Sequence, residues 1–424
     1  TRATTHSSGP YEIPNVKGDC YAMLTNNIPA GAYRGFGVTQ SAFAVESMMD
    51  MLAEKLNIDP IEIRKKNALR EGSITNTGQV LHESVGLSEC LEKVEAEIKR
   101  IAGKDAFKAR LVEGKPYIKR AWGIAAAYKN TGLGGGTPDI ANAEVELYEN
   151  GEVEVRSSSA EIGQGLVTVL QMIVAEELSM PVEKVRVLLS DTDLTPDGGP
   201  TTASRQTFMT GNAAKGAAVA LKNNLITAAA EMFDRPPQEI SIRDGKIAYD
   251  HQAIPLDDFA KELKKLGLKT KALYRYNAPE TKPLGEGGDM HFAFSFAVQA
   301  AEVEVDTRTG EVKVLKVIAA NDVGTALNPL GLQGQVEGGV MMGIGNAITE
   351  RFLMDNGKVI TDRMATYRMP SIEHMPEITS IIVEAPVSTG PFGAKGVGEI
   401  SSIPTTPAIT NAIYNAVGVR VDRL

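Results

Sequence analysis

Two stretches of the chain alternate apolar and polar residues in a way that predicts β-hairpins. In AEVELYENGEVEV, residues 143–155, two alternating runs flank a Glu-Asn-Gly turn, and AEVEVDTRTGEVKV, residues 301–314, repeats the pattern. Period-two alternation turns one face of each strand inward, and the turn residues close the pair. Helical spacing takes over after each hairpin, over 166–178 behind Gly163-Gln164-Gly165 and over 332–348 behind Pro329-Leu330-Gly331. The parallel predicts an α+β fold with two related units of hairpins and helices, residues 120–275 and 276–424, meeting face to face. Hairpins are common motifs, so coincidence is the alternative.

Ahead of these, residues 1–70 pass from a Gly/Pro-rich extended stretch into a helix, with Val45, Met48, Met49, Leu52 and Leu56 at helical spacing and Thr39 or Ser41 as candidate cap. Methionine fills irregular gaps well, which predicts a core-facing stripe. A second helix is expected to start at Asp59-Pro60, where proline suits the first helical position. Residues 92–119 read as a solvated helix and a connector.

Length and charge narrow the classes of function. A chain of 424 residues exceeds what one hydrophobic core usually serves, so two or three domains are expected. The net charge of −9, with no Lys/Arg cluster interleaved with aromatics, disfavours nucleic acid as a partner. The longest strongly apolar stretch, 338–348, is well short of the ~20 residues of a membrane-spanning helix. Cys20 and Cys90 cannot ligate an iron–sulfur cluster, and so low a cysteine count suits a reducing cytoplasm, the expected location. His6, His82, His251, His291 and His374 form no i,i+4 pair, which leaves a metal ligated by protein side chains without support. The opening TRATTHSSGPYEIPNVKG has neither a signal-peptide pattern nor a clear first strand and reads like the middle of a longer polypeptide.

Several glycine-rich polar loops are the candidate chemistry. AYRGFGVTQ (32–40), EIGQGL (161–166), GGPTTASRQTFMTGNA (198–213) and PFGAKGVGEISS (391–402) are short of bulk and rich in backbone donors, as oxyanion or phosphate groups require. No P-loop and no dinucleotide-binding glycine fingerprint occurs. A small-residue helix over 211–221 could face an anion with its first turn, or could simply be a Ser/Thr-capped helix entry. Glu399, at the end of the last loop, reads equally as a site carboxylate or as an acid near the start of a helix at 407–417.

In their order, GPYEIPNV, AYRGFGVTQ, GQG, SRQTFMTGNA and GPFGAKGVGE resemble the molybdenum-binding large subunit of the xanthine dehydrogenase and aldehyde oxidoreductase family, across nearly the whole chain. The resemblance implies the molybdopterin-binding large-subunit fold, with residues 1–104 the C-terminal part of a first molybdenum-binding domain and 120–275 and 276–424 the two α+β units of a second. It places Arg34, Gly35 and Phe36 beside the metal, with Phe36 near substrate, and gives the Gln164 amide of Gly163-Gln164-Gly165 to the pterin or a metal oxygen. It puts Ala203 and Ser204 next to the metal, has Arg205, Gln206, Thr207, Gly211 and Asn212 hold the pterin and its phosphates, and closes the cradle with Lys395, Gly396, Val397 and Gly398. Glu399 matches the catalytic glutamate, a general base for the attacking oxygen. Tyr128, in the loop YKNTGLGGGTPD, lies where family members line the substrate channel.

The resemblance also implies partners. The cofactor is expected as molybdopterin cytosine dinucleotide, with molybdenum bearing a terminal sulfur or selenium. The family's Gly-Gly-Phe-Gly-Gly loop is missing, which makes the chain look like the C-terminal portion of a split subunit, similar to bacterial nicotinate dehydrogenase. The remaining N-terminal half, a [2Fe–2S] subunit and an FAD subunit are then expected in a heteromeric complex able to dimerise. The expected reaction is hydroxylation of an N-heteroaromatic ring carbon with water, nicotinate to 6-hydroxynicotinate, linked to NADP. Purine or aldehyde oxidation and a non-catalytic scaffold role are the alternatives.

Overall fold

The computed structural model describes residues 2–28 and 31–424. The chain divides into two compact units: Thr1–Asn130, Lys282–Pro386 and Val397–Leu424 form one, and Thr131–Thr281 with Val387–Gly396 the other. Residues 120–130, read above as the start of the second domain, lie within the strand Lys115–Asn130 of the first unit.

The first unit is built on a five-stranded sheet in the order Arg110–Val112, Lys115–Asn130, Phe294–Asp306, Val312–Asp322 and Glu377–Val383. The first four are antiparallel and the last is parallel to its neighbour. Both expected hairpins form, this one pairing Glu302 through Val305 with residues 312–316 across a register shift. The long strand AWGIAAAYKN is apolar on both sides, and its alternation sorts two cores. Trp122, Ile124, Ala126 and Tyr128 face the helix Leu87–Ala102, packing with Leu87, Cys90, Leu91 and Val94. Ala121 and Ala125 face the opposite side with Ala408, Ile409 and Ala412, and Ala127 meets Ile400 and Ile403. The helix Thr405–Val417 lies so close there that a Cβ at Gly123 would stand 2.2 Å from the Ala412 nitrogen. Its Asn411 amide donates to the carbonyls of Glu46 and Ile124, and Asn415 to that of Trp122.

The helix Val38–Leu56 differs from expectation on two counts. Neither Thr39 nor Ser41 caps it; Gly37, at φ 89°, does so without a side-chain bond. Met48, Met51, Leu52 and Leu56 are exposed, while Glu46, Met49 and Asp50 are buried. Arg64 explains the reversal: its Nε lies 2.8 Å from Glu46 and its Nη2 2.8 Å from Asp50, all three side chains nearly inaccessible, and Tyr11 donates to Glu46 at 2.6 Å. Buried carboxylates persist only when paired in this way. The next helix, Pro60–Asn67, starts where expected, with the Asp59 side chain accepting from the amides of Ile61 and Glu62.

The second unit carries a four-stranded sheet, Val185–Leu189, Val153–Ser157, Ile140–Leu147 and Lys271–Asn277, containing the other hairpin. The helix Leu166–Leu178 matches its expected span. The helix expected over 211–221 is longer, Gln206–Phe233, so Gly211 and Asn212 lie inside it and not at its entry. A three-stranded sheet, Ser241–Arg243, Lys246–Tyr249 and Gln252–Pro255, completes the unit. Among the described residues no helix is long and apolar enough to cross a membrane.

Candidate functional site

Glu399 sits in the first unit, just before a single 3₁₀ turn, Ile400–Ser402, and its residue is only 8% exposed. The turn is tied down from several sides. Ser402 returns its backbone and hydroxyl donors to the Glu399 carbonyl at 3.1 and 2.9 Å. Gln299, fully buried on the central strand, donates to the Ser401 carbonyl at 2.7 Å and accepts from Thr405 at 2.6 Å. Arg34 donates to the carbonyl of Gly398, to Ser401 Oγ at 3.1 Å, and to the carbonyl and side chain of Gln335 at 3.1 and 3.2 Å. These bonds hold the backbone on which the carboxylate is mounted.

Three basic side chains of this unit surround that carboxylate. Lys129 Nζ is 2.9 Å from Glu399 Oε2, and Glu399 acts electrostatically on Arg2 and Arg34. Burial lowers the pKa of both arginines below the usual guanidinium value, and the Glu399 charge opposes that shift. Arg2 also donates to His291 Nε2 at 3.1 Å. Lys129 and Arg2 were not singled out from the sequence; the signal available was a lysine ending a strand otherwise apolar on both faces.

Tyr128 is corrected as a substrate-facing residue. It is 1% exposed, its hydroxyl donates to the Thr5 carbonyl at 3.2 Å, and its ring lies against His6, Phe294 and Phe296. Strand alternation sends it into the helix-facing core and Lys129 to the Glu399 side. Phe36, in contrast, is 46% exposed and adopts φ 49°.

Left-handed backbone picks out the nominated loops. Of the non-glycine residues with positive φ, most are Asn, Asp or Ser, which tolerate it; the others are Phe36, Ala203, Arg368 and Phe392. Phe36, Ala203 and Phe392 all fall in nominated loops. Such strain costs about 1–3 kcal/mol per residue and collects where geometry serves a ligand.

In the second unit the loops are organised mainly by their own side chains. Arg205 is fully buried and directs its N–H groups to Asp139 and to the carbonyls of Ile140, Gly198 and Pro200, at 2.7–2.9 Å. All five donors are accounted for, so Arg205 shapes the loop and has none left for a phosphate. Gln206 likewise donates to the Pro200 carbonyl and Thr201 Oγ1 and accepts from Ser159 and Thr210. Thr207, one residue further into the helix, is half-buried. Gly211 serves packing, since a Cβ there would meet Ile173 at 3.0 Å and Pro391 at 3.1 Å. Gly396 is pressed against the Ser204 carbonyl, 1.6 Å from where a Cβ would stand. Lys395 is 2% exposed, and Asn212 donates to the Thr389 carbonyl at 2.9 Å.

The Gly-Gln-Gly loop holds an anion already. Glu161 accepts from the amides of Gly163, Gly165 and Val167 at 2.9–3.0 Å, and these bonds lower its pKa against the opposing effect of burial. The Gly163 and Gly165 amides were among the donors expected to meet oxyanions. Gln164 commits one donor to the Ala160 carbonyl and one acceptor to the Ile162 amide, which leaves half of its amide capacity for a ligand. A Cβ at Gly163 or Gly165 would meet nothing within 4 Å, so the loop's outer side is open. Among the described residues no group of three or more His, Cys, Asp or Glu side chains is placed to hold a metal ion.

The molybdopterin cofactor-binding domain family matches residues 91–376 and, through a second domain of the same description, 1–68; the chain belongs to this family. It is 34% identical over 419 residues to the xanthine dehydrogenase molybdenum-binding subunit of Escherichia coli, covering 96% of this chain and 53% of that protein. It is 30% identical over 427 residues to the nicotine 6-hydroxylase large subunit of Paenarthrobacter nicotinovorans, covering 98% and 52%. The aldehyde oxidoreductase from Desulfovibrio gigas superposes with a TM-score of 0.85 at 31% identity, covering all of this chain and 43% of the other. The chain thus spans about half the length of the relatives it matches.

Proposed function

We propose that this chain is the molybdenum-cofactor-holding part of a multi-subunit hydroxylase that installs an oxygen from water on a ring carbon of an N-heteroaromatic substrate, with nicotinate to 6-hydroxynicotinate the favoured reaction. The observation that carries the reading is Glu399: a buried carboxylate on a turn pinned by Arg34, Gln299 and Ser402, with basic side chains around it. A carboxylate so held is suited to take the proton from an attacking oxygen. The excess of cations over carboxylates suits a substrate that is itself anionic, and Arg2 is the side chain best matched to a ring carboxylate.

The residues present fit a pterin cofactor on the strength of the strained loops and the open side of the Gly-Gln-Gly turn. Gln164, Ser204, Thr207 and Asn212 would hold the pterin and its nucleotide, in the cytosine dinucleotide form. When bound, that group supplies the two-electron redox chemistry and the oxygen transfer. Electrons would leave through [2Fe–2S] and FAD subunits to NADP. The names of the relatives keep purine or aldehyde oxidation as a second reading.

Metal analysis of the purified complex, with turnover measured on nicotinate, xanthine and an aldehyde, tests the reading. Molybdenum and preferential turnover of nicotinate are expected; a complex without molybdenum would overturn the reading, and preference for xanthine or the aldehyde would transfer it to the second substrate class. Glu399→Gln is expected to lower kcat by about 10²–10⁴-fold with cofactor still bound, the range a general base contributes.

A further inference from the structure

Lys129 is 2% exposed, and each of its three ammonium hydrogens has a partner: Glu399 Oε2 at 2.9 Å, Asn130 Oδ1 at 3.0 Å and the Asn130 carbonyl at 3.3 Å. Glu399 is the only carboxylate among these partners. Its turn is fixed by Arg34, Gln299 and Ser402 through bonds that end on main-chain carbonyls. A glutamate side chain has three rotatable bonds beyond that backbone, so the pinned turn leaves the position of its reacting end undetermined.

We propose that Lys129 is a positioning residue for Glu399, anchoring Oε2 so that the carboxylate is held in one rotamer for proton transfer. The inference rests on the reading of Glu399 as the base. Position matters steeply here, because a displacement of about 1 Å in a reacting group can cost on the order of 10²-fold in rate. The coupling is mutual. Burial and the charge of Arg2 push the Lys129 ammonium down from its usual value, and Glu399 pulls it back. The Lys129 charge also helps to keep His6 and His291 neutral. The charged groups facing the pair are therefore Arg2 and Arg34, with both imidazoles uncharged.

The experiment compares Lys129→Met, which keeps length and loses charge, with Lys129→Arg, Glu399→Gln and the Lys129→Met/Glu399→Gln double variant, all in the assembled complex. For Lys129→Met, kcat is expected to fall about tenfold or more with KM little changed, and Lys129→Arg is expected to recover part of that loss. The melting temperatures of the four states of the cycle give a readout independent of turnover. Lys129→Met removes the Glu399 Oε2 partner at 2.9 Å, so Glu399→Gln is expected to cost less in melting temperature in the Lys129→Met background than in the wild type. Additive melting shifts, or a Lys129→Met enzyme with unchanged kcat, would overturn the proposal. Full turnover in Glu399→Gln would instead overturn the base assignment, and the melting cycle would still report the ion pair.

Discussion

The guanidinium of Arg34 donates through Nε to the carbonyl of Gly398, one residue before Glu399. The same side chain reaches Ser401 and Gln335, so one residue of the Arg-Gly-Phe loop brackets both ends of the Glu399 turn. A lysine, with its charge at a point, cannot span those acceptors. Arg34→Lys and Arg34→Met are both expected to destabilise the protein by roughly 1–3 kcal/mol through the acceptors left unmet. Turnover should fall by on the order of tenfold or more as the turn loosens. Melting curves and steady-state kinetics check the two effects separately.

Arg64 is the hub of a cluster in which removing one charge strands two others. Arg64→Met leaves Glu46 and Asp50 buried without their cation, and a loss of roughly 3–5 kcal/mol in unfolding free energy is expected. Adding Glu46→Gln and Asp50→Asn should recover much of that loss. Denaturant melts of the single and triple variants check it.

Gly123 and Gly334 make a paired test of close packing. Gly123→Ala drives a methyl into the backbone of the helix Thr405–Val417, 2.2 Å from Ala412 N and 2.3 Å from Ala408 O. A cost of roughly 1–3 kcal/mol or more is expected, lowering the melting temperature by about 2–4 °C per kcal/mol. Gly334, inside the helix Pro329–Ile344, has nothing within 4 Å of its missing Cβ, so Gly334→Ala should stabilise by up to about 1 kcal/mol.

Acid should destabilise the fold through His6 and His291. Burial, with Arg2 and Lys129 nearby, holds His291 neutral down to about 2 and shifts His6 the same way. Arg2 donates to His291 Nε2, which puts the proton of the neutral ring on Nδ1. The unfolded chain takes up protons at both rings below about pH 6.5, where the folded chain does not, so stability is lost as pH falls below that value. Each ring contributes up to ~1.4 kcal/mol per pH unit. Replacing His291 with Gln should remove about half of that two-histidine slope between pH 6.5 and 5, as read from denaturant midpoints.

How much of this was legible depends on how local the cause is. Both hairpins, the helix Leu166–Leu178 and the Asp59-Pro60 helix start were legible because alternation, turn residues and caps act within a few positions. The helical spacing around Val45–Leu56 was legible too, but not which stripe is buried, since that was decided by Arg64, eighteen residues from Glu46. Glu399 was nominated through the order of the loops, yet Lys129 and Arg2 lie hundreds of residues away from it in the chain and could not be paired with it from sequence. Arg205 shows the opposite error: a side chain with five donors in a glycine loop reads as a ligand holder until its acceptors prove to be its own loop and Asp139.

The Glu161 carboxylate seated on the amides of the Gly-Gln-Gly turn bears on cofactor loading. Gly163 and Gly165, which would otherwise sample many conformations, are ordered with the first turn of the following helix by an internal acid before any ligand arrives. The conformational entropy of that turn, about 1–2 kcal/mol per residue, is therefore lost during folding and not on binding. A ligand meeting this turn would find its shape ready-made, and a Glu161→Ala protein would have to assemble it on each encounter.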